Sequence, residues 1–270
     1  MAIVCLVLAA CAGPGLSRPT PAAEVVPSLA VSAPLPTFPA APSPIPEALP
    51  AQDPTLSPAL SAAPDADLGP TFTPPFRLCS PLGEHLLAEL PEIISDPYHP
   101  PPPGHEERHQ GVDFSYYRRG ARLSIQGVSV QTVLSGRFAA ALSAFPYGNM
   151  VIVETPAADL PAGLAASLGV GQDESLYLLY AHMELPPQVR LGESLPACQP
   201  IGTVGKSGNA GVAHLHLEIR IGPAAAAFPE MRYYDLHATQ AENDAYLRWR
   251  TSGVFRHFDP MRLLSQPPGR

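Results

Sequence analysis

The segment His214-Leu-His216-Leu-Glu218-Ile-Arg220-Ile221 alternates polar and apolar residues one for one. Written as a strand, it sends His214, His216, Glu218 and Arg220 to one face and Leu215, Leu217, Ile219 and Ile221 to the other, toward a core. Imidazoles two residues apart on a pleated face lie ~6–7 Å from each other, so both cannot reach one small ion without local bending. The natural division is that one ligates while its neighbour works on the bound water or the substrate. Upstream, His109-Gln-Gly111-Val-Asp113 sets an imidazole and a carboxylate four apart around a glycine, free to converge from a turn or a strand edge. Both groups bind Zn²⁺ well, at ~2.0–2.2 Å. Together with one histidine of the H-x-H pair they make two His and one carboxylate, leaving a fourth position for water, as catalytic zinc sites do. A third piece is His182, which ends the apolar run Ser175 to Ala181. Taken singly, H-x-H could be two half-exposed strand histidines, and H-x-G-x-D a glycine turn capped by its aspartate.

The elements that must position these residues read as β. Short apolar runs bounded by Gly, Pro, Asn and Asp occur at Leu123 to Gly127, Val128 to Gly136, Met150 to Val153, Ser175 to Ala181, Ile201 to Gly205 and Leu215 to Ile221. Runs of this length and spacing predict an all-β fold, an antiparallel sandwich or barrel. The one helical candidate is Ala241 to Arg250, which reads as an appended element. Pro97 to Arg108 and Gly222 to His257 are expected to be long loops.

Proline limits how much of the chain can build that fold. Of 36 prolines in 270 residues, 17 lie between Pro14 and Pro75, in a stretch with one basic residue (Arg18) and two aromatics (Phe38, Phe72). Proline removes backbone donors, and so few large apolar groups cannot offset the entropy of ordering. Residues 12–76 therefore read as a disordered linker and 77–270 as the folded domain. Residues 1–11, MAIVCLVLAAC, form an apolar run closing on small residues, the core of a secretory signal. Leu8-Ala-Ala-Cys11 resembles a bacterial lipobox, which would make Cys11 a lipidated, membrane-anchored N-terminus; the alternative is ordinary cleavage and free secretion. Export leaves Cys79 and Cys198 as an even pair in an oxidising compartment, expected to be bridged or else two buried thiols.

Net charge excludes one class of partner. The chain carries −8 with a single lysine, Lys206, and has no basic run to neutralise a phosphate track, so nucleic acid is not an expected partner. From Arg77 on there are 15 basic and 19 acidic residues, an ordinary solvated surface. A monomer is the favoured oligomeric state.

In order along the chain, His109-Gln-Gly-Val-Asp113, Tyr180-Ala-His182, Gly205-Lys-Ser-Gly-Asn209 and His214-Leu-His-Leu-Glu218 match H-x-G-x-D, Y-A-H, a glycine-rich loop and H-L-H-F-E. This series resembles the lysostaphin/LytM family of zinc metallopeptidases, which cleave peptide bonds in bacterial cell-wall peptidoglycan. Leu191-Gly-Glu, Pro200-Ile-Gly-Thr-Val-Gly205 and Phe258-Asp-Pro260 extend the likeness over about Arg77 to Leu264. The resemblance implies a compact antiparallel β sheet with a groove, one zinc ion held by His109, Asp113 and His216, and two non-ligand active-site histidines, His182 and His214. The peptide of peptidoglycan would be the substrate.

Three departures stand out. Gly211-Val212-Ala213 replaces the usual T-G-P, Leu217 replaces Phe, and His99, His105, Glu106 and Glu107 crowd the approach to His109. These last four are expected to form a solvated loop, unless one serves as an inhibitory fourth ligand. The aromatics Phe228, Tyr233, Tyr234, Tyr246 and Trp249 are expected to pack the candidate helix or to line a subsite. Competing readings are a catalytically silent relative that binds wall or activates a hydrolase, and a zinc peptidase acting on another secreted protein.

Overall fold

The computed structural model describes residues 76–267. The signal segment, Cys11 and the proline-rich stretch to 75 lie outside the described residues. Strands β1 (Ile94–Asp96), β2 (Val112–Phe114), β4 (Gly136–Ala144), β5 (Gly148–Pro156), β6 (Glu174–Met183), β7 (Ser194–Leu195), β9 (Leu215–Pro223) and β10 (Arg256–Phe258) form an eight-stranded sheet. The order is β1-β2-β9-β6-β5-β4-β7, with β10 also on β9. Strands β3 (Ser129–Gln131) and β8 (Pro200–Thr203) form a small second sheet, and every pairing in both sheets is antiparallel. The all-β expectation agrees with this architecture.

The large sheet is buried on both faces, and period-two alternation sorts its residues. Leu215, Leu217, Ile219 and Ile221 of β9, Leu176, Leu178 and Tyr180 of β6, and Val151 and Val153 of β5 share one core with Val130 and Ile201 of the small sheet. Each such aliphatic burial stabilises the fold by ~1.5–3 kcal/mol. Tyr177, Leu179, Ala181, Met150 and Ile152 face the other way, into a second core with Tyr246, Trp249 and Phe255. That second core corrects the reading of the helix as an appendage. Helix α2 (Gln240–Arg250) starts at a capping box, in which Glu242 N–H donates to Thr239 Oγ1 at 3.3 Å and Thr239 N–H donates to Glu242 Oε2 at 2.6 Å. Its Tyr246 and Trp249, three apart on one helix face, are 2% and 1% exposed. The helix therefore covers the face of the sheet that carries the polar residues of β9.

Other expectations are corrected. Leu123 to Gly127 is not a strand: Ser124 Oγ accepts from the Gln126 N–H at 3.1 Å, and Gly127 sits at φ +78°, so local turn chemistry prevails. Within Val128 to Gly136 only Ser129–Gln131 pairs before β4 begins. Strand β4, with four alanines in its nine residues, gave no β-branched signal, and pairing with β5 and β7 makes it a strand regardless. Helices α1 (Ala162–Leu168) and α3 (Met261–Leu264) and 3₁₀ turns at Leu87–Ile93 and Ala157–Asp159 add to the single expected helix. No helix among the described residues is long and apolar enough to cross a membrane.

Cys79 and Cys198 are bridged, with Cα atoms 5.4 Å apart and a sequence separation of 119. Flanking backbone bonds from Cys79 N–H to Val133 O and from Cys198 N–H to Thr132 O, both 2.9 Å, place the bridge across one stretch of chain. Closing so long a loop restricts the unfolded chain. Replacing both cysteines by serine is expected to lower unfolding free energy by ~2–4 kcal/mol, read as a lower urea midpoint with an otherwise native fold.

Candidate metal centre

β9 lies between β2 and β6, and its register places the histidine pair. His216 is opposite Asp113 of β2 on one side and Ala181 of β6 on the other. Residues directly opposite share a face, so the Asp113 carboxylate and the His216 ring project together. His109 arrives from the loop before β2, and only glycine fits between them. A Cβ on Gly111 would lie 2.6 Å from Leu217 O and 2.8 Å from His216 Cε1. The glycine of H-x-G-x-D is thus required by close approach to β9.

Three donor atoms converge there. His109 Nε2 is 3.0 Å from both Asp113 Oδ1 and His216 Nδ1, and His216 Nδ1 is 2.8 Å from Asp113 Oδ1. Among the described residues these side chains form the one group of three His, Cys, Asp or Glu whose donor atoms lie close enough to share an ion. The other ring nitrogens define their states. His109 Nδ1 donates to Pro97 O at 2.9 Å, leaving a lone pair on Nε2. His216 Nε2 donates to the Glu218 carboxylate at 3.1 Å, so Nδ1 is the atom turned to Asp113. Two imidazole acceptors and a carboxylate aimed at one point need a positive centre among them, either a proton or a metal ion. Without a metal, the proton is held by His216: burial opposes its charge, but bonds to Asp113 and Glu218 push its pKa up to about 9. Burial likewise opposes the Asp113 charge, yet His109 and His216 hold that carboxyl well below the usual range. The donor set therefore fits a divalent ion such as zinc.

His182 and His214 flank this point without joining it. Strict alternation would turn His182 away from the face shared by Ala181 and His216. A left-handed backbone at His182 (φ 59°) breaks the alternation, and its ring centroid lies 4.5 Å from that of His214 and 5.9 Å from that of His216. Positive φ in a non-glycine residue is strain, and such strain concentrates at functional sites. Backbone bonds hold it, from His182 N–H to Tyr147 O and from Gly205 N–H to His182 O, both 3.0 Å. His182 Nδ1 donates to Ser207 O at 2.8 Å and His214 Nδ1 donates to Val212 O at 2.9 Å, so in each ring the backbone holds Nδ1 and leaves Nε2 to the cleft. Burial first, and then the charges of His216 and His214, push His182 down to about 3, so it is neutral at neutral pH. His214 Nε2 lies 3.5 Å from Asp113 Oδ2. The glycine-rich loop thus works through Ser207, and Gly208 (φ +70°) lets it pass where a Cβ would lie 2.4 Å from both Gly148 N and Pro146 O.

These groups open into a cleft of about 340 Å³, bordered also by Asn209, Tyr234, Tyr246 and Glu107. Glu106 corrects one expectation: it is neither a free solvated side chain nor part of the donor group. Its carboxylate accepts from the Tyr234 and Tyr246 hydroxyls and pairs with Arg250 Nε at 3.3 Å. Exposed His99 pairs with Asp96 and exposed His105 with Glu107, and neither joins the donor group. The aromatics divide: Phe228, Trp249 and Phe255 pack edge to face and tilted in the second core, while Tyr234 and Tyr246 reach the cleft.

Sequence reasoning missed what lies behind the histidines. Glu218, fully buried, receives Tyr147 OH, His216 Nε2 and Arg250 Nη1 on Oε1, and Arg220 Nε and Nη2 and Trp249 Nε1 on Oε2. A buried acid alternating with two histidines was visible in the motif, but its partners Tyr147, Trp249 and Arg250 come from distant elements without any local signature.

No protein-family model matches the chain. Among solved structures, the catalytic domain of the antimicrobial peptidase lysostaphin from Staphylococcus simulans aligns at 20% identity over 67% of this chain and 99% of that one, with a TM-score of 0.38. A catalytic-domain mutant of a prophage-encoded M23 protein from Enterococcus faecalis aligns at 18% identity over 50% and 84%, TM-score 0.34. A zinc containing peptidase from Vibrio cholerae aligns at 17% identity over 47% of this chain but only 32% of its own, TM-score 0.32. Lysostaphin is the namesake of the family that the motifs of this sequence resemble.

Proposed function

We propose that this chain is an exported zinc metalloendopeptidase of the lysostaphin/LytM type, acting on peptide bonds of bacterial cell-wall peptidoglycan. The observation that carries the reading is the convergence of His109 Nε2, Asp113 Oδ1 and His216 Nδ1 in an open cleft, beside two histidines whose free nitrogens are set by backbone carbonyls. His109, Asp113 and His216 would hold the metal. Bound zinc supplies a Lewis acid and lowers the pKa of water from 15.7 to about 7. The imidazole of His182 or of His214 would accept the attacking water's proton on Nε2 and, as the imidazolium so formed, would stabilise the developing oxyanion or hand that proton to the leaving amine. The signal-like residues 1–11 and the Cys79–Cys198 bridge support action outside the cytoplasm, with Cys11 as the proposed lipid anchor and residues 12–76 as the tether.

Mass spectrometry of soluble fragments, after zinc-loaded protein is incubated with several peptidoglycan types, tests the reading. New peptide termini are expected, absent with His182→Ala. Retained zinc with no cleavage of any wall would favour another secreted protein as substrate. No zinc and no cleavage would favour a wall-binding or hydrolase-activating role.

A further inference from the structure

We propose that Arg250, the last residue of α2, is a positioning residue that locks the two separated halves of the metal centre together, an inference that rests on the metallopeptidase reading. Its side chain is 8% exposed. Nη1 donates to Glu218 Oε1 at 2.9 Å, and that same oxygen accepts from His216 Nε2 at 3.1 Å. Nη2 donates to the carbonyls of Glu106 at 2.9 Å and Arg108 at 3.1 Å, in the loop that delivers His109. One planar guanidinium thus spans from the support of His216 to the backbone adjoining His109, 107 residues earlier in the chain.

The loop needs such a clamp. Arg108 sits at φ 80°, a left-handed conformation unfavourable for a residue with a Cβ. It persists only where the surroundings over-determine it, and its carbonyl is one of the two that Arg250 holds. Arg220 makes a parallel but different link, joining Glu218 to the Gln110 side chain at 2.6 Å. With Arg220 still paired to Glu218, loss of Arg250 does not leave that buried carboxylate uncompensated. What disappears is the hold on the His109 loop, through its backbone carbonyls and through the ion pair with the Glu106 carboxylate. Lysine cannot replace it, because one ammonium lacks the fork needed to reach Glu218 and both carbonyls at once.

The test is metal affinity, not turnover alone. Zinc and cobalt binding to the full chain is measured by competition with a chromophoric chelator for the wild type, Arg250→Met, Arg250→Lys and Arg137→Met. Arg137 is the control: it pairs with Glu154 between β4 and β5, apart from the donor group. Both Arg250 variants are expected to bind metal about 10–100-fold more weakly at temperatures where circular dichroism shows them folded, with a changed cobalt d–d spectrum. Arg137→Met should lower only the thermal midpoint. Folded Arg250 variants with wild-type affinity and spectrum would overturn the inference while leaving the metallopeptidase reading standing. If Arg250→Met fails to fold, Arg250→Lys decides. Failure of both to fold would also overturn it, since Arg250 would then serve the fold rather than the metal centre. A wild type that binds no metal would bring down the reading and the inference together.

Discussion

Asp113→Asn is expected to remove metal and activity together. The substitution keeps the side-chain shape, so the packing of Val112 and Phe114 against Leu217 and Leu215 survives. It removes the one negative charge among the three converging atoms, and a neutral amide is a poor partner for a cation held by two imidazoles. Metal affinity should fall by on the order of 10³-fold, a share of the ~10–16 kcal/mol that protein zinc sites supply. Turnover should fall at least as far at limiting metal. Metal content after dialysis, read beside cleavage of a wall substrate, checks both at once. Stoichiometric zinc retained by the Asp113→Asn variant would show that Asp113 is not a ligand. Without metal, Asp113 also stabilises the proton on His216, so the apo variant should hold that proton less tightly.

His182→Ala is expected to do the opposite to binding: zinc stays and catalysis goes. His182 Nδ1 is occupied by Ser207 O, and its ring faces His214 and His216 without entering the donor group. Removing a group that moves a proton in the rate-determining step costs ~10²–10⁴-fold. Turnover is therefore expected to fall at least ~100-fold, with zinc near one per chain. His214→Ala should give a loss of the same kind, again with zinc retained, and zinc stoichiometry in the same preparation checks it. Metal loss in His182→Ala would count against the division of the histidines into ligands and proton carriers. Ser207 acts through its backbone carbonyl, so Ser207→Ala should preserve that bond to His182 and perturb the loop only through the lost hydroxyl contacts to Met183 O and Asn149 N–H.

The sequence by itself determined what local periodicity can carry. Alternation in His214 to Ile221 placed four polar groups on one face and four aliphatics on the other, because neighbouring Cβ atoms on a strand point oppositely whatever the strand pairs with. The even pair Cys79 and Cys198 pointed to a bridge on compartment chemistry alone. The tertiary structure decided everything that depends on which strands become neighbours. Register set Asp113 beside His216, and a single left-handed residue turned His182 into the cleft against its own alternation. Pairing made a strand of alanine-rich β4, and packing brought α2 over the polar face of β9, where Arg250 and Trp249 meet Glu218. Such contacts join residues a hundred or more positions apart in some cases, and their energy comes from burial and long-range pairing rather than from neighbours along the chain. No short window of sequence contains both partners.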